Sequence, residues 1–245
     1  FESLICPHNH TIIYIYNNIS YTENIELVIN GTHIKTKVNK YPIFTNEIIM
    51  CTSVKNEDNY IVQWIEYHKL LGISRFIIYD NTGSPHTRHC SVEKSSNLPL
   101  LLKNYINDKS VLLIKWIYPR NTGVCGNTGQ TTQQNHSNYV FNTCDYIGHF
   151  DIDEYVNPQT SEIKLKTIFN NAIINNNLNK NKIGGFIILQ KKFYNPDKLP
   201  TNNYEFLKIY NCDNLEYSAR MKHFVIPKNV KIISVHKILN GLKSF

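Results

Sequence analysis

This chain of 245 residues lacks the cysteine spacing of a zinc or dithiol site. Its six cysteines, Cys6, Cys51, Cys90, Cys125, Cys144 and Cys212, form no C-x-x-C pair. Cys51 and Cys144 fall in apolar stretches and read as core residues. Reduced thiols are the expectation, with Cys6 bridged to Cys90 or Cys125 as the alternative in an oxidising compartment. No apolar run approaches the ~18 residues of a membrane span, so no membrane segment is expected. No basic cluster interleaved with aromatics occurs, which argues against nucleic acid as a partner. Internal repeats are absent too. The chain opens at Phe1 without an initiator Met or signal peptide, so an excised domain is expected, with any targeting segment outside it. Acids are in the minority, 19 against 26 Lys and Arg, for a formal charge of +7. A basic surface favours anionic ligands such as nucleotide phosphates. Part of that charge is compositional, because the 33 Asn, with abundant Ile and Lys, are residues of A/T-rich codons. The sequons at Asn18, Asn30 and Asn135 carry little weight for the same reason.

What is present is a strand–helix rhythm, in a length that suits one well-buried domain. The first 45 residues read as β structure, with Glu26–Ile29 and Thr32–Val38 flanking the hairpin turn signal Asn30-Gly31. Ile48–Thr52 then reads as a buried strand. Asp58 caps a helix whose Ile61, Trp64, Ile65, His68 and Leu71 share one face, and Gly72 stops it. Strands are expected at Arg75–Asp80, Val111–Ile117 and Tyr146–Phe150. Helices are expected at Leu98–Ile106 and, after a glycine-rich loop over 123–129, at Gln130–Asn142. Further on, an amphipathic helix carries Leu165, Ile168, Phe169, Ala172 and Ile173, and Gly184–Leu189 is a buried strand. A Pro/Asn-rich loop over 195–203 precedes a short helix at Tyr204–Tyr210. Strands at Lys222–Ile226 and Val230–His236 end the chain. Such alternation implies an α/β fold with a central, mostly parallel, doubly wound sheet flanked by helices.

In such sheets ligands sit outside the carboxyl ends of the strands. One of those ends carries Asp151-Ile152-Asp153-Glu154. Residues i and i+2 of a strand point the same way, so Asp151 and Asp153 are expected side by side. Two such carboxylates repel and call for a positive partner, most simply a divalent cation with a taste for oxygen, magnesium or manganese. The alternative is two solvated acids at a strand–loop junction. Lys55-Asn56-Glu57 and Asp80-Asn81 lie at neighbouring strand ends and make the acids one wall of a site. The glycine loop lacks both the P-loop ending and the G-x-G-x-x-G pattern, and reads as a mobile cover. Gln130, Gln133 and Asn135 read either as a solvated helix face or as part of a helix N-terminus that helps hold phosphate. His68, on an apolar helix face, reads as a hydrogen-bonded core histidine. His236 alone reads as structural; beside two carboxylates it becomes a candidate third ligand.

Together, Cys51-Thr-Ser-Val-Lys55-Asn56-Glu57, Trp64-Ile-Glu-Tyr-His68-Lys-Leu-Leu-Gly72, Ile77-Ile-Tyr-Asp80-Asn81 and Phe150-Asp151-Ile-Asp153-Glu154-Tyr resemble glycosyltransferase family 92. Met221-Lys222-His-Phe-Val-Ile-Pro227 and Val235-His236 resemble it as well. The likeness covers residues 46–158 and 219–236. It departs from the usual pattern at Lys192-Phe193-Tyr194 and at Ser84-Pro-His-Thr. The resemblance implies one GT-A-type (Rossmann-like) domain over 1–245, with a β-hairpin extension at 1–45, a nucleotide-binding half at 46–158 and an acceptor-side half at 159–245. It implies an inverting, hexosyltransferase-like enzyme that uses Mn2+ or Mg2+ and a nucleotide-sugar donor, UDP-linked by expectation, with a glycan or glycoprotein acceptor. Asp153 would bind the metal, Asp151 the metal or the ribose, and His236 the metal. Thr52, Lys55, Asn56, Glu57, Asp80, Asn81, Gln130 and Asp151 would line the donor pocket.

The catalytic base is expected from the second half, with Glu205 and Asp197 as candidates. A glycoside hydrolase using Asp151, Asp153 or Glu154 as its carboxylate pair is the alternative enzyme, and a catalytically silent sugar-binding module the alternative outside catalysis. The compartment stays open between the cytoplasm, as for a viral protein, and the Golgi lumen, as for part of a longer anchored protein.

Overall fold

The computed structural model describes residues 2–6, 10–14, 24–37, 39–56, 58–82, 95–116, 128–191 and 217–244. They fall into two compact units, 1–43 and 44–245. The first holds two antiparallel hairpins, β1 (Glu2–Cys6) with β2 (His10–Tyr14) and β3 (Asn24–Ile29) with β4 (Thr32–Lys37). Asn30 and Gly31 both take positive φ, 50° and 77°, as the two-residue turn between β3 and β4 requires.

The second unit is built on a six-stranded sheet. Its strands are β5 (Ile48–Val54), β6 (Arg75–Asp80), β7 (Val111–Lys115), β8 (Tyr146–His149), β9 (Gly185–Lys191) and β10 (Tyr217–Val225). The order is β7-β6-β5-β8-β10-β9. β7, β6, β5 and β8 are parallel neighbours, while β10 runs antiparallel to both β8 and β9. The fold is therefore mixed α/β with a mostly parallel sheet, as the strand–helix alternation implies. Apolar strands with both faces covered are what a parallel sheet needs, and β5 and β6 are buried almost throughout.

The helices are α1 (Asp58–Leu70), α2 (Leu98–Leu101), α3 (Lys103–Asn107), α4 (Thr128–Val140) and α5 (Leu165–Asn175). α1 ends where expected, with Gly72 at φ +90°. The helix expected at 98–106 is two short ones, broken at Leu102, whose φ and ψ are −97° and 9°. α5 drives Phe169 into the core, where it stacks on Phe186 at 4.5 Å between ring centroids. Gly148 lets the sheet close at its centre, since a Cβ there would lie 2.5 Å from Phe224 and 2.7 Å from Met50.

Two expectations need correction. Gln133 and Asn135 do not form a solvated helix face: Thr131, Gln133, Gln134, Asn135, Ser137 and Asn138 are all buried. Two of them, Asn135 and Asn138, bond the first strand of the hairpin of β11 (Val230–Ser234) and β12 (Lys237–Gly241), while Gln133 Nε2 donates to Cys51 Sγ. Asn135 donates from Nδ2 to the Ile233 carbonyl at 2.7 Å and accepts the Ile233 amide at 3.0 Å. Asn138 Nδ2 donates to Val230 O at 2.9 Å and the Tyr139 hydroxyl to Lys231 O at 2.6 Å. Side-chain amides of α4 thus act as the missing sheet neighbour of β11. The strand expected to run to His236 also stops at Ser234, so His236 lies in the β11–β12 turn. Among the described residues no helix is long and apolar enough to cross a membrane. The loop and helix expected at 195–210 lie outside the described residues, as does most of the glycine-rich loop.

Candidate functional site

β8 ends at His149, and the acidic segment that follows is a turn, closed by the Glu154 amide donating to Asp151 O at 3.0 Å. Asp151 and Asp153 are therefore not successive same-face residues of a strand. Ile152 is buried beneath the turn, while Asp153 is exposed. The carboxylate of Asp151 has two partners. Gln130, in the first turn of α4, donates from Nε2 to Oδ1 at 2.6 Å. Lys222, on β10, donates from Nζ to Oδ2 at 2.9 Å.

Lys222 also reaches Glu154 Oε2 at 2.9 Å, so its ammonium lies between two carboxylates. A positive partner is indeed there, but it is a lysine, and the acids it joins are Asp151 and Glu154. Its side chain is only 3% exposed, against 42% for Asp151 and 14% for Glu154. Glu154 is further held by the Asp151 amide at 2.9 Å and by Gln190 Nε2 of β9 at 2.9 Å.

The electrostatics follow from this packing. Burial pushes the Glu154 carboxyl up, and Lys222 offsets that only in part. Burial alone would lower the Lys222 ammonium, but Asp151 and Glu154 outweigh it and hold the lysine charged. Although Asp153 is exposed, its partly desolvated surroundings and then the charge of Asp151 push its carboxyl up.

Three side chains of α1 fix the backbone just after the acids. Trp64 Nε1 donates to Glu154 O at 3.0 Å and the Tyr67 hydroxyl to Val156 O at 2.9 Å. His68 Nδ1 donates to Trp64 O at 2.8 Å, which leaves Nε2 to accept the Val156 amide at 3.3 Å. Residues 64, 67 and 68 stand at i, i+3 and i+4, one face of the helix. His68 is the core histidine its apolar setting implies, and burial lowers it to about 4.

At the neighbouring strand ends, Asp80 and Asn81 are buried. Asp80 Oδ1 accepts the Thr82 amide at 3.0 Å. Asn81 donates from its amide to Val54 O at 2.8 Å and from Nδ2 to Trp116 O at 2.6 Å, which latches the ends of β5, β6 and β7 together. Thr52 is sealed in β5 at 2% exposure. Lys55 is half-buried, and Asn56 is exposed with φ +57°. Glu57, Asp197 and Glu205 lie outside the described residues. His236 bonds through Nδ1 to Met221 O at 3.1 Å, next in sequence to Lys222. Among the described residues no three His, Cys, Asp or Glu side chains converge on one point that could hold a metal ion.

Residues 46–244 match the family model of glycosyltransferase family 92. The chain belongs to glycosyltransferase family 92. Among relatives, a glycosyltransferase family 92 protein of Arabidopsis thaliana is 26% identical over 110 residues, 45% of this chain and 16% of that protein. One of Ricinus communis is 27% identical over 109 residues, 44% of this chain and 16% of that protein. The chain therefore matches about a sixth of the length of these relatives.

Within this family 92 chain, the sequence motifs meet as one neighbourhood in part. Gln130 and Asp151 are brought into contact, and the Trp64–His68 motif is brought beneath the acids. Lys222, Glu154 and Gln190 complete the charged network; of these the sequence singled out only Glu154, as a carboxylate of the hydrolase alternative. The signal for Lys222 was a charged side chain inside an apolar strand segment, Lys222–Ile226, where a lysine must have anionic partners. Cys51 and Cys144 are buried free thiols. Burial pushes the Cys51 thiol up to about 12, in spite of a contact from Gln133 Nε2 at 3.3 Å.

Proposed function

We propose that this chain carries a metal-dependent, inverting glycosyltransferase activity on a GT-A-type fold, moving a hexose from a nucleotide sugar, UDP-linked by preference, to a hydroxyl of a glycan or glycoprotein. The observation that carries this reading is the acidic turn at the end of β8, set against the first turn of α4 through the Gln130–Asp151 hydrogen bond. Anionic diphosphate and a cation are the pair of ligands such a setting accepts. α4 is 13 residues long, and the N–H groups of its first turn suit phosphate oxygens.

The residues fit a divalent ion in their donor chemistry. Asp153 and Asp151 supply hard oxygen ligands of the type Mn2+ or Mg2+ takes. His236, with its Nδ1–H engaged by Met221 O, keeps Nε2 as its acceptor nitrogen, the tautomer a metal-binding imidazole needs. When bound, the ion supplies charge neutralisation for the departing diphosphate. The protein's own part is to hold Asp151 between Gln130 and Lys222, to fix the turn through Trp64, Tyr67 and His68, and to bring the acceptor to the face of the sugar opposite the diphosphate. A carboxylate base, Asp197 or Glu205, would take the proton of the attacking hydroxyl, and one displacement inverts the anomeric centre.

The hydrolase alternative sits less well with the geometry. Glycosidase carboxyls stand ~5 Å or more apart with the sugar between them. Asp151 and Glu154 instead share one ammonium, each at 2.9 Å. A silent sugar-binding module would need neither Mn2+ nor UDP.

Thermal denaturation tests the reading. UDP with Mn2+ should raise the melting temperature by several degrees, as a ligand well above its Kd does, and Asp153→Ala should abolish the shift. An unchanged melting temperature in the parent protein, or a shift that survives Asp153→Ala, would sink it.

A further inference from the structure

We propose that Lys222 is the internal counter-ion of the donor site, one that competes with a divalent cation for Asp151 and turns to the diphosphate when the nucleotide arrives. The inference rests on the donor-site reading above and gives a further role to a residue that reading uses only to hold Asp151. Three observations carry it. First, the ammonium is 2.9 Å from both Asp151 Oδ2 and Glu154 Oε2, so it neutralises the carboxylate to which a cation would bind. Second, Lys222 is buried while Asp151 is 42% exposed, which places the lysine behind the acid and leaves the acid's open side for a ligand. Third, the remaining oxygen of Asp151 is engaged by Gln130 at 2.6 Å, so both oxygens already carry a partner with which an ion must share them.

An incoming cation therefore meets a partly neutralised carboxylate and the repulsion of a nearby ammonium. A diphosphate changes the balance, because its negative charges attract the ion and the lysine together. Lysine suits this exchange, with a compact charge on a flexible stem whose three donors can change partner. Glu154 keeps the ammonium anchored while Asp151 is given up. The site thereby disfavours free metal and favours metal together with nucleotide.

Calorimetric titration of Mn2+ and of UDP into the whole chain tests this, with Lys222→Gln, Lys222→Arg and the double variant Lys222→Gln/Glu154→Gln. Lys222→Gln should bind Mn2+ alone about 10-fold more tightly, and UDP at saturating Mn2+ about 10-fold more weakly, as loss of one close charge predicts. Lys222→Arg keeps the charge and should stay within about 2-fold of the parent for Mn2+ alone. A lysine with only a structural role would weaken both affinities or neither. If Lys222→Gln fails to fold because Glu154 is left buried and unpaired, the double variant removes both charges and should show opposed changes of the same sign but smaller size. Mn2+ affinity that is unchanged or weaker in Lys222→Gln and in the double variant, with the parent binding UDP and Mn2+, overturns the role of Lys222 alone. A parent that binds neither overturns the donor-site reading together with it.

Discussion

Among the described residues burial lowers four histidines, His68, His136, His149 and His223, and the first two serve here as reporters of the fold. His68 and His136 are lowered to about 4, against an ordinary value near 6.5. Below pH ~6.5 the unfolded chain takes up protons at these rings and the folded chain does not, so stability falls as pH drops towards ~4. Each ring adds a slope of ~1.4 kcal/mol per pH unit in that window. Glu154, pushed up by burial, works in the opposite direction, so the test is a difference between proteins. His136→Phe loses the hydrogen bond to the Tyr79 hydroxyl at every pH but removes one ring from the titration. Urea unfolding between pH 7 and pH 5 should show a shallower loss of stability in the variant; equal slopes would mean that His136 is not buried neutral. At this scale the sequence told part of the story. Asp151 was legible from its place after an apolar strand, and His68 from its apolar helix face. Lys222 was not, because the charges that make it tolerable sit on a distant turn.

At the scale of elements, α1 is more than a layer over the sheet. Its Trp64, Tyr67 and His68 hold the backbone of residues 154–156 by three hydrogen bonds, and so set the exit of the acidic turn. Trp64→Phe and Tyr67→Phe each remove one bond and should cost ~1 kcal/mol of stability. Both should also weaken UDP binding in the presence of Mn2+, because the turn loses its restraint. Variants that lose stability but keep the parent's UDP affinity would reduce the helix to a structural support. The apolar periodicity of α1, and the buried runs of β5, β6 and β8, made these elements readable in advance. α4 was harder, since a helix rich in Gln, Asn and Thr reads as solvated until β11 is seen to use its amides as partners. The turn at 151–154 was hidden for another reason: its acid side chains are held by Lys222 and Gln190 from β10 and β9.

For the molecule as a whole, sheet order is what assembles the site. β8 has parallel β5 on one side and antiparallel β10 on the other, so acids from the first half meet a lysine from the second. Alternating strands and helices announced the parallel half, while the antiparallel insertion of β10 between β8 and β9 is a long-range pairing that no local pattern encodes. The chain belongs to glycosyltransferase family 92, and nucleotide-sugar chemistry is what we propose for this arrangement. The most direct measurement is release of UDP from a panel of UDP-sugars with Mn2+, with and without EDTA, by the parent and by Asp153→Ala. The account predicts release from at least one donor that EDTA and Asp153→Ala both abolish. No release from any donor, or release indifferent to EDTA and to the loss of Asp153, would contradict it.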